Sequence, residues 1–167
     1  MRRVSPGAAE DADRQIPEAQ AARGGAGASD HPGELAPAQI RVRYADTDAM
    51  GVVYHGNFLA FFEVGRVDAM RQIGTNYAAV VARGLHLVVV SAFARYLKPA
   101  RFDDVLLVFT RATEMSTARF AFDYRVTREA DGALIATGRT EHACVDATRM
   151  RPLRLPEWLV DDLRRLQ

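Results

Sequence analysis

A single cysteine, Cys144, is all the thiol this 167-residue chain carries. One thiol forms no internal disulfide, which fits a reducing compartment such as the cytoplasm and excludes a cysteine-rich metal site. Lysine is equally scarce: Lys98 stands alone among 22 basic residues, the others all being Arg. Against 21 acidic residues these leave a formal charge of +1, which supplies no electrostatic reason to expect nucleic acid or an anionic membrane as partner. No apolar run approaches the roughly 20 residues of a membrane span, and the N-terminus has no hydrophobic secretory region. No serine sits in a Gly-X-Ser-X-Gly elbow, so nucleophilic serine chemistry has no anchor. Cys144 lies in an apolar stretch without an activating neighbour in sequence, and buried packing accounts for it. The histidines His55, His86 and His142 lack a repeated ligand spacing, so no metal is indicated.

What is present is the composition of a globular protein, 49% hydrophobic and 26% charged, long enough for one well-cored domain. Residues 1–37 stand apart, with nine Ala, five Gly and four Pro and no Phe, Trp or Tyr. Such a segment buries too little to offset its ordering entropy, and a disordered tail is expected; its acidic residues argue against a transit peptide. The domain is expected over 38–167. Residues 39–45 alternate and predict a short strand with Ile40, Val42 and Tyr44 on one face. A helix is predicted over 57–73, with Asn57 as N-cap and Gly74 as stop. It is apolar nearly all round, which places it inside something. Glu63 with Arg66, and Asp68 with Arg71, are spaced to pair along its narrow polar strip.

A weakly helical piece at 76–83 follows, then strands at 85–97, 105–112, about 120–126 and 134–146, and a short helix at 158–166. Phe120, Phe122, Tyr124 and Val126 give the clearest period of two, and Asp131-Gly132 marks a hairpin. One buried helix followed by four strands with short connections predicts an α+β domain. Its sheet would be a five-stranded antiparallel meander with one strand from before the helix, wrapped around that long central helix. Open edges on such a sheet predict a dimer or larger oligomer.

The chemistry gathers at 44–57, where Tyr44, Asp46, Asp48, Gly51, Tyr54, His55 and Gly56 crowd ahead of the apolar helix. At a helix start, unpaired N–H groups and the positive end of the dipole gather. An acyl oxyanion would be stabilised there while a carboxylate attacks the carbonyl or activates water. Turn and cap chemistry alone accounts for an Asp-x-Asp pair equally well.

The run Tyr44-x-x-x-Asp48-x-x-Gly51-Val52-Val53-Tyr54-His55-x-Asn57, followed by the Phe-rich helix with Glu63 and Arg66 and by the segment at 95–104, resembles the 4-hydroxybenzoyl-CoA thioesterase family of hotdog-fold enzymes, including its Tol-Pal-associated acyl-CoA thioesterases. The resemblance spans about 40–155. It implies a hotdog fold, dimers with a continuous ten-stranded sheet that often pair into homotetramers, and hydrolysis of an acyl-CoA thioester without metal or redox cofactor. Asp48 then matches the catalytic carboxylate, as nucleophile or general base, and Asp46 is mainly structural. His55 and Tyr44 match positions that line and orient the site. The backbone N–H of Tyr54 or His55 would polarise the carbonyl near Gly51. Lys98 and Arg101 are candidates to meet the CoA phosphates, with Arg149, Arg151 and Arg154 as a further basic group. Residues 88–91, including Val90 and Ser91, are expected to line the acyl tunnel. Asp68 stands where many members have Glu, and Met50 replaces a smaller residue, so it is expected to reshape the acyl pocket. A carrier-protein thioester is an alternative substrate. A hotdog hydratase or dehydratase, and a non-catalytic acyl-thioester binder, are the rival functions; an intact Asp48 weighs against the binder, which has no need of a buried carboxylate.

Overall fold

In the computed structural model, residues 35–167 are described; most of the expected tail, residues 1–34, lies outside them. The long helix α1, Asn57–Gln72, turns Phe58, Phe61, Phe62, Gly65, Ala69 and Met70 inward, the helical spacing of one buried face. It stops where Gly74 takes φ +86°, a conformation open to glycine at little cost. A short helix α2, Tyr77–Ala82, follows, capped by the Asn76 side chain accepting from the Ala79 N–H at 2.7 Å. Glu63 and Arg66 pair as the spacing predicted. Asp68 instead accepts from Gln72, one turn on, at 2.9 Å.

Five antiparallel strands form one sheet in the order β1-β3-β4-β5-β2. They are β1 Ala38–Arg41, β2 Leu85–Tyr96, β3 Val105–Thr113, β4 Arg119–Arg128 and β5 Leu134–Asp146. The expected meander therefore holds only for β3, β4 and β5. β2 crosses to the far edge and pairs along β5, from Leu85 opposite Asp146 to Tyr96 opposite Ala136, with a bulge between Val89 and Ser91. β1 closes the other edge against β3.

The helix approaches the sheet closely enough to dictate two glycines. A side chain on Gly65 would strike Val108 and Thr110, and one on Gly138 would enter the space of the Phe62 ring. Phe62 in turn stacks on Tyr124 at 4.5 Å and 9°. The C-terminal helix α3, Glu157–Arg164, buries Leu159 and Leu163. Arg165 donates to the Ile73 carbonyl at 2.8 Å and Thr75 pairs with Asp162, so this segment seals the end of α1 opposite residues 44–57. Among the described residues no helix is long and apolar enough to cross a membrane.

Candidate active site

The expected strand over 39–45 ends at Arg41. Val42 is still held between β1 and the 101–104 turn, exchanging backbone bonds with Asp103 and Asp104. The chain then winds into one 3-10 turn, Tyr44–Asp46. The cause is Asp46, whose carboxylate, only 4% exposed, accepts the Arg43 N–H at 2.8 Å and the Arg43 guanidinium at 2.7 and 3.1 Å. Hydrogen bonds from the Arg43 side chain, against the cost of burial, hold the Asp46 carboxyl below the ordinary carboxylate range. This turn also breaks the alternation that would have buried Tyr44. That ring is 80% exposed and meets Phe102 edge-on at 6.1 Å.

Downstream of the turn the chain doubles back as a small hairpin. Thr47 bridges Val53, Asp48 N–H donates to the Val52 carbonyl, and Gly51 N–H to the Asp48 carbonyl, both at 2.9 Å. Gly51 makes the reversal possible at φ +71°, and Arg101 reaches its carbonyl at 3.5 Å. The half-buried Asp48 side chain accepts the Met50 N–H through Oδ1 at 2.8 Å. Its other oxygen has no partner among the described residues. Met50, at the tip, is 76% exposed.

The return leg is fastened to the turn, which fixes where the helix begins. The Tyr54 N–H and the Asn57 side-chain amide both donate to the Asp46 carbonyl, at 2.9 and 2.8 Å. Asn57 is thus the first residue of α1 rather than its cap, a position taken by Gly56; its amide serves the turn instead. The Tyr54 N–H is spent and is no candidate to polarise a carbonyl. The N–H groups of Asn57, Phe58 and Leu59 go to Tyr54, His55 and Gly56 carbonyls. Those of His55 and Gly56 have no acceptor among the described residues, and they precede a 16-residue helix whose dipole is positive there.

The His55 ring is exposed and stands beside the rings of Tyr54 and Tyr96. Tyr96, which the sequence reading passed over, donates its hydroxyl to the His55 carbonyl at 3.0 Å and lies against Phe58. It ties the last residue of edge strand β2 to the helix start. Val90 and Ser91 sit exposed on the same strand at the bulge. Lys98 is exposed just beyond the strand, and Asp131 is held below the ordinary carboxylate range first by the Arg128 side chain and in small part by the Lys98 charge. Arg149, Arg151 and Arg154 are exposed after β5. Among the described residues no cluster of His, Cys, Asp or Glu is arranged for a metal. Cys144 is buried, which raises its thiol above the ordinary range.

Comparison with known proteins adds a family. Residues 42–163 match the sequence model of the thioesterase-like superfamily. The acyl-CoA thioester hydrolase YbgC of Escherichia coli is 34% identical over 125 residues, covering 75% of this chain and 92% of the relative. The 1,4-dihydroxy-2-naphthoyl-CoA hydrolase of Thermosynechococcus vestitus is 34% identical over 134 residues, 77% of this chain and 91% of that one. Among solved structures, a hypothetical protein from Thermus thermophilus superposes with a TM-score of 0.74 at 39% identity, covering 80% of this chain and all of its own.

Proposed function

Because the chain belongs to the thioesterase-like superfamily and is a hotdog-fold thioester hydrolase, we propose that it hydrolyses an acyl-CoA to the free acid and CoA, with Asp48 as the working carboxylate. The observation that carries this reading is a half-buried Asp48 carboxylate oxygen on the fastened hairpin and, just past its return leg, the His55 N–H, both without a partner among the described residues. The thioester oxygen takes the His55 N–H, supported by the dipole of α1. The free Asp48 oxygen supplies the electron pair, either attacking the carbonyl carbon itself or taking a proton from the water that does. By the base route the water oxygen bonds to the carbonyl carbon, the C–S bond breaks, and the thiolate leaves as CoA with the proton that Asp48 took. By the nucleophilic route the C–S bond breaks as an anhydride to Asp48 forms, and water then cleaves that anhydride to the free acid, restoring the carboxylate and giving its proton to the thiolate. Loss of one aligned oxyanion donor typically costs about 3 kcal/mol of transition-state stabilisation. A single backbone N–H and a helix end therefore suffice for a large share of catalysis.

Asp46, bonded through both oxygens to Arg43, builds the hairpin and takes no part in the chemistry. Tyr96 and Tyr54 wall the His55 ring, and the hydroxyl of Tyr96 fixes the His55–Gly56 peptide, next in the chain to the one whose N–H does the work. Arg101, beside Gly51, is the cation best placed for a CoA phosphate.

The site lies open beside β2, whose outer edge has no strand against it among the described residues and carries half-exposed Val89, Val90, Phe93, Tyr96 and Leu97. An apolar, unpaired edge of that length is an aggregation hazard unless covered. The proposed cover is the same strand of a second copy, which would wall the acyl group from the other side in a homodimer or homotetramer.

The test is release of free thiol from a panel running from acetyl- to palmitoyl-CoA with benzoyl- and 4-hydroxybenzoyl-CoA included. Asp48→Asn is expected to lower kcat about a thousandfold, within the usual range for a general base or nucleophile, while Asp46→Asn retains measurable turnover. Hydration of an enoyl-CoA without thiol release from any member of the panel would overturn the reading.

A further inference from the structure

The segment at 95–104 supplies Arg101 to the site, while the Asp103-Asp104 pair that ends it has no place in the chemistry above. Residues 101–104 form a turn closed from both ends. The Asp104 N–H donates to the Arg101 carbonyl at 3.1 Å, and the Arg101 N–H donates to Asp104 Oδ2 at 2.8 Å. Asp103, between them, takes φ +69°, a left-handed conformation uncommon outside glycine that persists where the surroundings impose it. Its carboxylate is drawn to Arg41 at 2.9 Å.

This turn is fixed to the sheet at two places. Val42 exchanges backbone bonds with Asp103 and Asp104. Arg128, the last residue of β4, donates through Nη1 to Asp104 Oδ2 at 3.1 Å, while its Nε and Nη2 hold the two oxygens of Asp131 at 3.1 Å each. One oxygen of Asp104 therefore joins the first N–H of the turn to the guanidinium that ends β4. The turn in turn holds the hairpin. The Val53 N–H, just ahead of Tyr54 and His55, donates to the Ala100 carbonyl at 2.8 Å, and both residues are buried. Arg101 reaches the Gly51 carbonyl at 3.5 Å.

We infer that Asp104 is a positioning residue for thioester hydrolysis, holding through the 101–104 turn the hairpin that carries Asp48 and leads into His55. The inference rests on the acyl-CoA hydrolase reading above. Asp104 acts through Ala100, whose carbonyl fixes Val53, and through Arg101 at Gly51. The hairpin is tied within itself from Thr47 to Val53, so it shifts as a unit when an outer fastening is lost. The Asp46 carbonyl holds the following residues, Tyr54 and Asn57; the turn holds Gly51 and Val53. With the second fastening gone, the hairpin is free to rock about the first. A displacement of about 1 Å between a reacting group and its target costs about a hundredfold in rate. The role calls for an acceptor and not for a charge. Asn at this position keeps a carbonyl oxygen for both donors, and Ala removes it.

The experiment compares Asp104→Ala, Asp104→Asn and Arg128→Met in acyl-CoA turnover and in amide hydrogen exchange over residues 47–55. Asp104→Ala is expected to lower kcat about ten- to a hundredfold with KM within about threefold. Exchange at the Asp48 and Val53 N–H groups should quicken at least about tenfold more than exchange in β4 and β5. Asp104→Asn should bring kcat back to within about threefold of the wild type, and Arg128→Met should fall between the two. Placed on Asp48→Asn, Asp104→Ala should cost several-fold less than it does alone, since effects that pass through one group are not additive. If Asp104→Ala does not fold, Arg128→Met decides: reduced kcat with faster exchange confined to 47–55 supports the inference, and unchanged kcat overturns it. Equal losses in Asp104→Ala and Asp104→Asn would assign the effect to charge. That result, an unchanged kcat in Asp104→Ala, or faster exchange spread evenly over the sheet each overturns the inference and leaves the hydrolase intact. Thiol release from no substrate by the wild type overturns the hydrolase reading and this inference with it.

Discussion

Acid should loosen this fold through the buried His142 ring, by an amount that follows from its displaced pKa. Its pKa stands at about 3 in the folded chain against an ordinary 6.5, first because burial disfavours the cation and second because the Arg66 charge repels it. Above pH 6.5 neither the folded nor the unfolded state is protonated there, and the stability is fully present. Below pH 6.5 the unfolded chain takes up a proton that the folded chain refuses, so stability falls with pH until the folded ring itself titrates near 3. At about 1.4 kcal/mol per pH unit, the loss between pH 6.5 and 4.5 approaches 2.7 kcal/mol. The whole window is worth about 4–5 kcal/mol, a large share of the stability of an ordinary domain. Asp46 and Asp146, whose carboxyls are held below the ordinary range by their hydrogen bonds, contribute stability present above pH 4 and lost at lower pH. They leave the upper window clear. The assay is urea unfolding at fixed protein concentration across pH 4.5–7.5, for wild type and His142→Leu. The difference between the two curves should rise by about 2–3 kcal/mol from pH 4.5 to 7. Parallel curves would refute both the depressed pKa and the neutrality of the buried His142 ring.

Gly138→Ala places a methyl against the Phe62 ring and 3.0 Å from the Phe93 carbonyl. Overpacking there should cost about 1–3 kcal/mol in urea unfolding, most of it recovered by adding Phe62→Leu; an unrecovered loss would mean that the ring is not what the methyl meets. Asp46→Asn replaces one of the two oxygens that accept the three Arg43 bonds by an NH2 donor and removes the charge. It is expected to lower stability by about 1–3 kcal/mol and to raise KM more than it lowers kcat, and a loss of kcat matching Asp48→Asn would reassign the pair. Tyr96→Phe deletes one neutral hydrogen bond to the His55 carbonyl and should lower kcat by about five- to tenfold with stability nearly unchanged; no change in kcat would remove Tyr96 from the site.

How much of this was legible in the sequence depended on whether the controlling contacts are local. The helix, the Asp131-Gly132 turn and strand 134–146 follow from periodicity and turn chemistry, which act within a few residues. The edge position of β2 does not, because strand order is decided by pairing across the whole domain; β2 and β3 are consecutive yet lie at different ends of the β3-β4-β5 block. Tyr44 was misplaced because alternation was extended through Asp46, where the Arg43 bonds outcompete the extended backbone. Asn57 was assigned as a cap by residue type, although the carbonyl that captures its amide is eleven residues away. The buried, hydrogen-bonded hydroxyls of Tyr124 and Thr140 and the His142 ring did leave a signal. Tyr124 shares the period of Phe120 and Phe122, and Thr140 and His142 alternate with Arg139 and Glu141, so three polar groups fall on buried positions of adjacent strands.

Two aspartates two residues apart acquire opposite surroundings here without any difference in intrinsic chemistry. Asp46 sits where a 3-10 turn delivers its carboxylate back onto the Arg43 N–H and guanidinium, so both oxygens are consumed and the charged form is stabilised to low pH. A carboxylate so satisfied is a poor nucleophile and a poor base, since any reaction must first break bonds that hold the turn together. Asp48 lies just past that turn, at the mouth of a hairpin closed by Thr47 and Val53, where the one bond to its side chain comes from the Met50 N–H. That bond orients the carboxylate and leaves an oxygen to spend. The division depends on Asp46 giving its backbone carbonyl to Tyr54 and Asn57, which brings His55 and the start of α1 back toward the hairpin. The structural aspartate thus positions both the carboxylate and the backbone N–H of the proposed site, and the two residues form one device whose parts cannot be exchanged.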